Sequence, residues 1–302
     1  MKNKLYQIFT DEFRSGQYIR LGENKKLSLY LGKDGSNHYA FEFRGKYTPR
    51  HISSSEVIVV TQLKGEDSYV LRFSLSNNDL LEYFCTFCED LFDSTKDIDN
   101  DEVAYNQLSD RYFSWKKLFK PHSEKMSESE MVGLMGELLF MDEHMIPQYG
   151  TQVALASWTG PEKTHKDFST EDLWYEIKTI NSGKTTVRIS SIEQLDGDIE
   201  GQLVVYDLEK MSPSFNGLKL NQLVQKLLHK FKSNNREEFI SKLGLYNYDF
   251  SSDYDKLVYS VVGCSMYIVK DGFPRLKRNE IPMAISKIQY DINLSELDDY
   301  KL

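Results

Sequence analysis

Apolar and polar residues alternate singly through the early part of the chain. Leu27, Leu29 and Leu31 alternate with Ser28 and Tyr30, and Asp34-Gly35 supplies a hairpin signal. Tyr39, Phe41 and Phe43 then alternate with Ala40, Glu42 and Arg44. Val57, Val59 and Thr61 lead into Lys64-Gly65-Glu66-Asp67, and Tyr69, Leu71, Phe73 and Leu75 return. This pattern predicts an antiparallel sheet with one buried and one wet face. After Ser76-Asn77-Asn78-Asp79 the period changes: Leu80, Leu81, Phe84, Phe87, Cys88, Leu91 and Phe92 recur at helical spacing. The acidic, apolar-poor stretch 93–102 reads as a linker. A second helix, about 103–119, ends before Pro121.

From residue 127 the pattern is mixed. Ser127-Glu128-Ser129-Glu130 is a capping box ahead of a helix running to about Met145. Strands are predicted over 153–158, 173–180, 202–208 and 258–269, and a helix over 218–231. The fold class expected is α/β (α+β). A β-rich N-terminal domain, 1–100, precedes a mixed domain, 101–302.

Composition narrows the class. With 302 residues, 40% hydrophobic and 27% charged, the chain can bury sizeable cores and is not disordered. No run approaches the ~20 apolar residues of a membrane span, and Asp11 and Glu12 follow soon after the start, so neither membrane nor signal segment is expected. Three cysteines make no disulfide framework. The expected location is the cytoplasm. A net charge of -9 argues against a non-specific nucleic-acid coat, but not against an enzyme that concentrates base locally.

The stretch 158–179 carries the candidate chemistry. If Ser169 to Asp172 form a four-residue turn, Asp167 lies opposite Trp174, and Trp174, Glu176 and Lys178 share its face. Glu176 is then the diagonal neighbour of Asp167, about 7–8 Å away at the backbone, and a one-residue slip would separate them. Two carboxylates beside an ammonium suit phosphodiester hydrolysis. Mg²⁺ takes one or two carboxylates and leaves its other positions to water and phosphate oxygens, and it acidifies bound water. Glu137 is the one charge between Glu130 and Asp142 on a helix that is apolar nearly all round. A buried carboxylate needs a partner, and a metal or Lys178 would serve. Gly133 and Gly136 would let that helix approach a sheet closely.

Glu137 in a helix, then Asp167, then Glu176-Ile177-Lys178 in a strand, resembles the PD-(D/E)XK nuclease superfamily. Gly136-Glu137-Leu138-Leu139, Trp158-Thr159-Gly160-Pro161, His165-Lys166-Asp167-Phe168, Glu176-Ile177-Lys178-Thr179 and 189–195 resemble one branch of it, the bacterial "PD-(D/E)XK motif protein" family of restriction-like defence loci. The resemblance implies a restriction-endonuclease-like α-β-β-β-α-β core with a C-terminal extension. It implies Glu137, Asp167, Glu176 and Lys178 as the catalytic set, with Gln194 accessory. Metal would be held by Asp167, Glu176 and Glu137, as Mg²⁺ with Mn²⁺ able to substitute. The activity implied is DNA endonuclease, with DNA, other proteins of a defence locus and a second copy of the chain as partners. Lys166 departs from the pattern, which has proline before the aspartate.

Each feature also has a plainer reading. Glu176 and Lys178 alone are a cross-strand ion pair, Asp167 alone starts a turn, and the whole set would be retained by a non-catalytic DNA-binding or assembly module only without purpose. An RNA nuclease would use the same chemistry. Cys85 and Cys88 fit an apolar helix face and read as core. His165 reads as a turn-flanking residue that would face Glu176. Between Lys210 and Leu243, seven basic residues stand against two acidic ones; Lys219, Lys226 and Lys230 form one helical stripe. That segment, and Arg275, Lys277 and Arg278, are either solvated faces or a track for phosphates.

Overall fold

The computed structural model describes residues 4–10, 13–22, 26–120, 125–162 and 165–302. The chain forms two compact units, Met1–Glu124 with Leu228–Phe250, and Lys125–Leu227 with Ser251–Leu302.

In the first unit, helix α1 (Lys4–Thr10) precedes a five-stranded antiparallel sheet of β1 (Tyr18–Arg20), β2 (Ser28–Lys33), β3 (Tyr39–Gly45), β4 (Ile58–Lys64) and β5 (Tyr69–Leu75), in the order β1-β2-β3-β5-β4. The alternation of apolar positions sets its buried face: Leu29, Leu31, Phe41, Phe43, Leu71 and Phe73 are fully buried. Against it pack α2 (Leu81–Ser94) and α3 (Asp101–Lys116), the latter capped by Asn100, whose side chain accepts from Val103 N–H. The expected division at residue 100 therefore differs from these units. Helix α3 buries Tyr105, Leu108, Tyr112 and Trp115, and Tyr105 stacks on Tyr47.

Helix α7 (Ser233–Leu245), which the sequence pattern did not predict, returns to this unit through a buried charge network. Asp90 is fully buried and accepts from Trp115 Nε1 (2.8 Å) and Arg236 Nη1 (2.9 Å). Cys85 and Cys88 are buried, as expected of core residues, and burial pushes both thiols well up.

The second unit begins with α4 (Glu128–Phe140), whose capping box is complete: Ser127 accepts from Glu130 N–H, and the Glu130 carboxylate accepts from Ser127 N–H. A π turn, Met141–Met145, leads into α5 (Ile146–Ser157), interrupted at Gly150 with φ 79°. The strand expected over 153–158 is thus helical up to Ser157. The four-residue apolar run Val153–Ala156, with two alanines and a leucine, suits a buried helix end as well as a strand.

A four-stranded sheet follows, in the order β10-β9-β7-β6: β6 (Phe168–Ser169), β7 (Trp174–Asn181), β9 (Gly201–Met211) and β10 (Val258–Val269). β7 and β9 are parallel; the other pairs are antiparallel. Helix α6 (Leu220–Lys230) lies between β9 and β10 in sequence, so α4, β6, β7, β9, α6 and β10 supply the expected α-β-β-β-α-β order. The inserted β8 (Thr186–Ile189) pairs instead with β11 (Tyr290–Asn293) of the C-terminal extension.

The two faces of β7 are used differently. Tyr175 packs on Phe140 of α4, with ring centroids 4.9 Å apart. Trp174, on the opposite face, joins Leu203 and Val205 in a core closed by Val187, Ile189 and Ile292 of the small sheet. Among the described residues no helix is long and apolar enough to cross a membrane.

Candidate active site

The hairpin of β6 and β7 places the predicted acids. Its turn is closed by Thr170 N–H to Leu173 O (2.9 Å) and by the Thr170 hydroxyl to the same carbonyl (2.8 Å). The register pairs Phe168 with Tyr175 and Ser169 with Trp174, a shift of two residues from the pairing expected. A two-residue shift preserves the face, so Asp167 comes level with Glu176 rather than diagonal to it. Regular pairing breaks at Asp167. Its N–H donates to Tyr175 O (3.2 Å), its carbonyl accepts from Thr159 and Gly160, and its Oδ2 accepts from Ile177 N–H at 2.7 Å.

Glu176 is 1% exposed, and its Oε1 lies 2.7 Å from Lys178 Nζ. Neither oxygen has a well-aligned hydrogen-bond donor among the described residues, so Lys178 meets it as a charge contact. Burial, then the neighbouring Asp167 charge, pushes the Glu176 carboxyl up to about 8, against the pull of Lys178. Burial likewise raises Asp167, opposed by Lys178, the Ile177 N–H and Lys166. Each carboxylate charge thus raises the cost of ionising the other, and a bound cation would lift that cost.

Lys166 is the residue the sequence reading missed. Its ammonium donates to the carbonyls of Glu193, Gln194 and Asp196 at 2.7, 2.8 and 2.8 Å, and lies 3.6 Å from the centroid of the Trp174 ring. Burial lowers its pKa to about 8, with Glu176 acting in the opposite sense. It pins the loop after β8 to the hairpin that carries Asp167. One signal in the sequence pointed to it: a lysine standing where the resembled pattern has proline.

Glu137 is buried as expected, on the helix that packs against β7. Helix α4 covers the Tyr175 face, and Gly136 sits so close to the strand that an added Cβ would lie 2.4 Å from Thr179 Cγ2. Gly133 makes no such approach. Glu137 Oε2 accepts from Trp158 Nε1 at 2.7 Å. The expected metal set of Asp167, Glu176 and Glu137 does not form a three-ligand group among the described residues. Among the described residues no three His, Cys, Asp or Glu side chains are grouped to hold an ion. Asp167 and Glu176 do fit a hard divalent cation: they are oxygen donors, two in number, and the Glu176 oxygens are buried without aligned donors. Gln194 turns its side chain to its own loop, Oε1 accepting from Ser190 N–H (2.7 Å). His165 is exposed beyond the paired residues of the hairpin.

The basic segment is largely engaged within each unit. Lys210 pairs with Glu128, Lys226 with Asp142, Arg236 with Asp90, and the buried Lys242 lies 3.9 Å from Glu238. Arg275 donates to Leu195 O, Arg278 to Ile285 O, and Lys277 faces Asp271.

A family model described as "Putative PD-(D/E)XK family member, (DUF4420)" matches residues 9–295. No curated protein and no solved structure matches the chain.

Proposed function

The chain belongs to the PD-(D/E)XK family matched over residues 9–295, and from that premise we propose that it is a divalent-cation-dependent DNA endonuclease serving a bacterial restriction or antiphage defence system. The observation that carries this reading is the triplet Asp167, Glu176 and Lys178, with a buried carboxylate whose oxygens lack aligned donors 2.7 Å from an ammonium. Asp167 and Glu176 would hold Mg²⁺ or Mn²⁺. When bound, such an ion neutralises phosphate charge and lowers the pKa of its water.

The protein's own groups supply the rest. The Ile177 N–H orients Asp167. The Lys178 ammonium would orient water or meet negative charge developing on the scissile phosphate. Lys166 holds the surrounding loop. Glu137 acts through Trp158, as a support for the chain leading into the hairpin, rather than as a ligand.

The test is cleavage of supercoiled and linear DNA with Mg²⁺ or Mn²⁺. Activity is expected to stop with EDTA and with Asp167→Asn. Turnover indifferent to EDTA would overturn the reading, and preferential cleavage of RNA offered alongside would overturn the substrate.

A second reading, a non-catalytic DNA-binding or assembly module of the same fold, is favoured by one observation: Glu137 is engaged by the Trp158 indole and completes no three-ligand group among the described residues. It predicts DNA binding without cleavage, and no heat from Mn²⁺ that depends on Asp167.

A further inference from the structure

The same face of β7 that carries Lys178 opens into a groove formed with β8. Its lining includes Lys178, Thr179, Lys184, Thr186, Arg188 and Asp291. A second groove, along the start of α4 and the end of β7, adds Ser129 and Asn181 and shares Thr179 and Lys184 with the first. Lys184 thus stands where the two meet. The turn that presents it, Asn181–Thr186, is exposed throughout, with Gly183 at φ 85° and Lys184 N–H closing it on Asn181 O at 3.1 Å.

In the α6–α7 segment Lys226, Arg236 and Lys242 each face an acidic side chain. Lys184 has no acidic partner among the described residues. Arg188 meets Asp291 at 3.1 Å, but the two side chains are 69% and 47% exposed, a pair that water and salt weaken. Lys178 is the link to the carboxylates, since it touches Glu176 and also lines the groove. A row of ammonium and guanidinium groups interspersed with threonine hydroxyls matches the donors that phosphate oxygens accept. Ile180 and Val187 also line the groove, and polar surface predominates, as suits contact with a phosphate backbone rather than with bases.

We propose that this β7–β8 turn is a docking track for the DNA phosphodiester backbone, with Lys184 and Arg188 gripping phosphates that run on from the one at Lys178. The inference rests on the nuclease reading for its choice of DNA, and it adds where the strand lies. Asp291 acts as a brake, because it shields Arg188.

The test is binding of an end-labelled DNA duplex to the full chain in EDTA, so that cleavage plays no part, over a series of salt concentrations. Lys184→Glu is expected to weaken binding about tenfold and to reduce the salt slope by about one contact. Arg188→Glu should act similarly, and Asp291→Asn should tighten binding. Lys184 and Arg188 are exposed, so circular dichroism should find both variants folded. Unchanged affinity and slope in Lys184→Glu and Arg188→Glu, with wild-type cleavage intact, would overturn the track and leave the nuclease standing. Loss of binding in both variants, from a wild type that binds but never cleaves, would support the track and overturn the nuclease.

Discussion

Lys178 Nζ lies 2.7 Å from Glu176 Oε1, two positions back along the same strand, and that contact places the ammonium beside the buried carboxylate that neighbours Asp167. The lysine has a path outward, being 16% exposed while its partner is 1% exposed. Lys178→Ala should leave DNA binding within a few-fold of wild type. It should lower the single-turnover cleavage rate in Mg²⁺ by about 10²- to 10³-fold. Quenched-flow cleavage of a labelled duplex checks the rate, and binding in EDTA checks the affinity.

Glu176 makes stability depend on pH in a defined direction. Its folded carboxyl, raised to about 8 from an ordinary 4.5, holds a proton that the unfolded chain releases earlier. The stabilisation is fully present below about pH 4.5 and is lost as pH climbs through about 8. With divalent ions chelated, urea melts should find the protein less stable at pH 8 than at pH 5.5 by about 2–4 kcal/mol. Glu176→Gln, which keeps the shape and cannot ionise, should flatten that dependence.

Cation binding must displace the same proton. Calorimetry with Mn²⁺ should detect a site whose apparent affinity rises with pH between 6 and 8, up to about tenfold per unit, with protons released to the buffer. Asp167→Asn should abolish the site-dependent heat. Heat that persists unchanged in Asp167→Asn would remove both carboxylates from the role of ligands.

Lys166 should prove structural in its own right. Replacing it with methionine leaves three carbonyls of the 193–196 loop without their donor, while the stem can still cover Trp174. The expected loss is about 2–4 kcal/mol in denaturant melts. Arginine should rescue poorly, because a planar fork cannot direct donors at three carbonyls arranged around a point.

The two glycines of α4 should respond in opposite ways. Gly133 faces open space, so Gly133→Ala should stabilise the protein by about 0.5–1 kcal/mol through helix propensity. At Gly136 the new methyl would meet Thr179 Cγ2, carried by a β-branched residue on the strand. Gly136→Ala should cost about 1–3 kcal/mol, and Thr179→Ser should restore part of it. Thermal melts of the four proteins decide this.

Much of the architecture was legible because local rules sufficed. Single alternation placed β2, β3 and β5, the capping box started α4, and the long apolar run 258–269 is β10 to the residue. The helical end at 153–157 was misread because a short apolar run carries no period of its own. Helix α7 escaped because Asp90 and Arg236, the buried pair that anchors it, are far apart in sequence. β8 and β11 pair only with each other, across about a hundred residues, and no turn signal joins them. In the site, the face shared by Asp167, Glu176 and Lys178 was readable because a strand's period of two survives a register shift of two.

The amino-acid sequence by itself determined the alternation that sets the first sheet's buried face, the capped start of α4, and the acid–acid–lysine spacing within one hairpin, all of which follow from interactions between near neighbours. Only the tertiary structure decided that Glu137 meets the Trp158 indole, that Lys166 clamps the 193–196 loop, and that Lys210, Lys226, Arg236 and Lys242 of the basic segment each face an acid. Those outcomes depend on how a helix docks against a sheet and on which carbonyl or carboxylate a charge finds, and packing of the whole unit sets both.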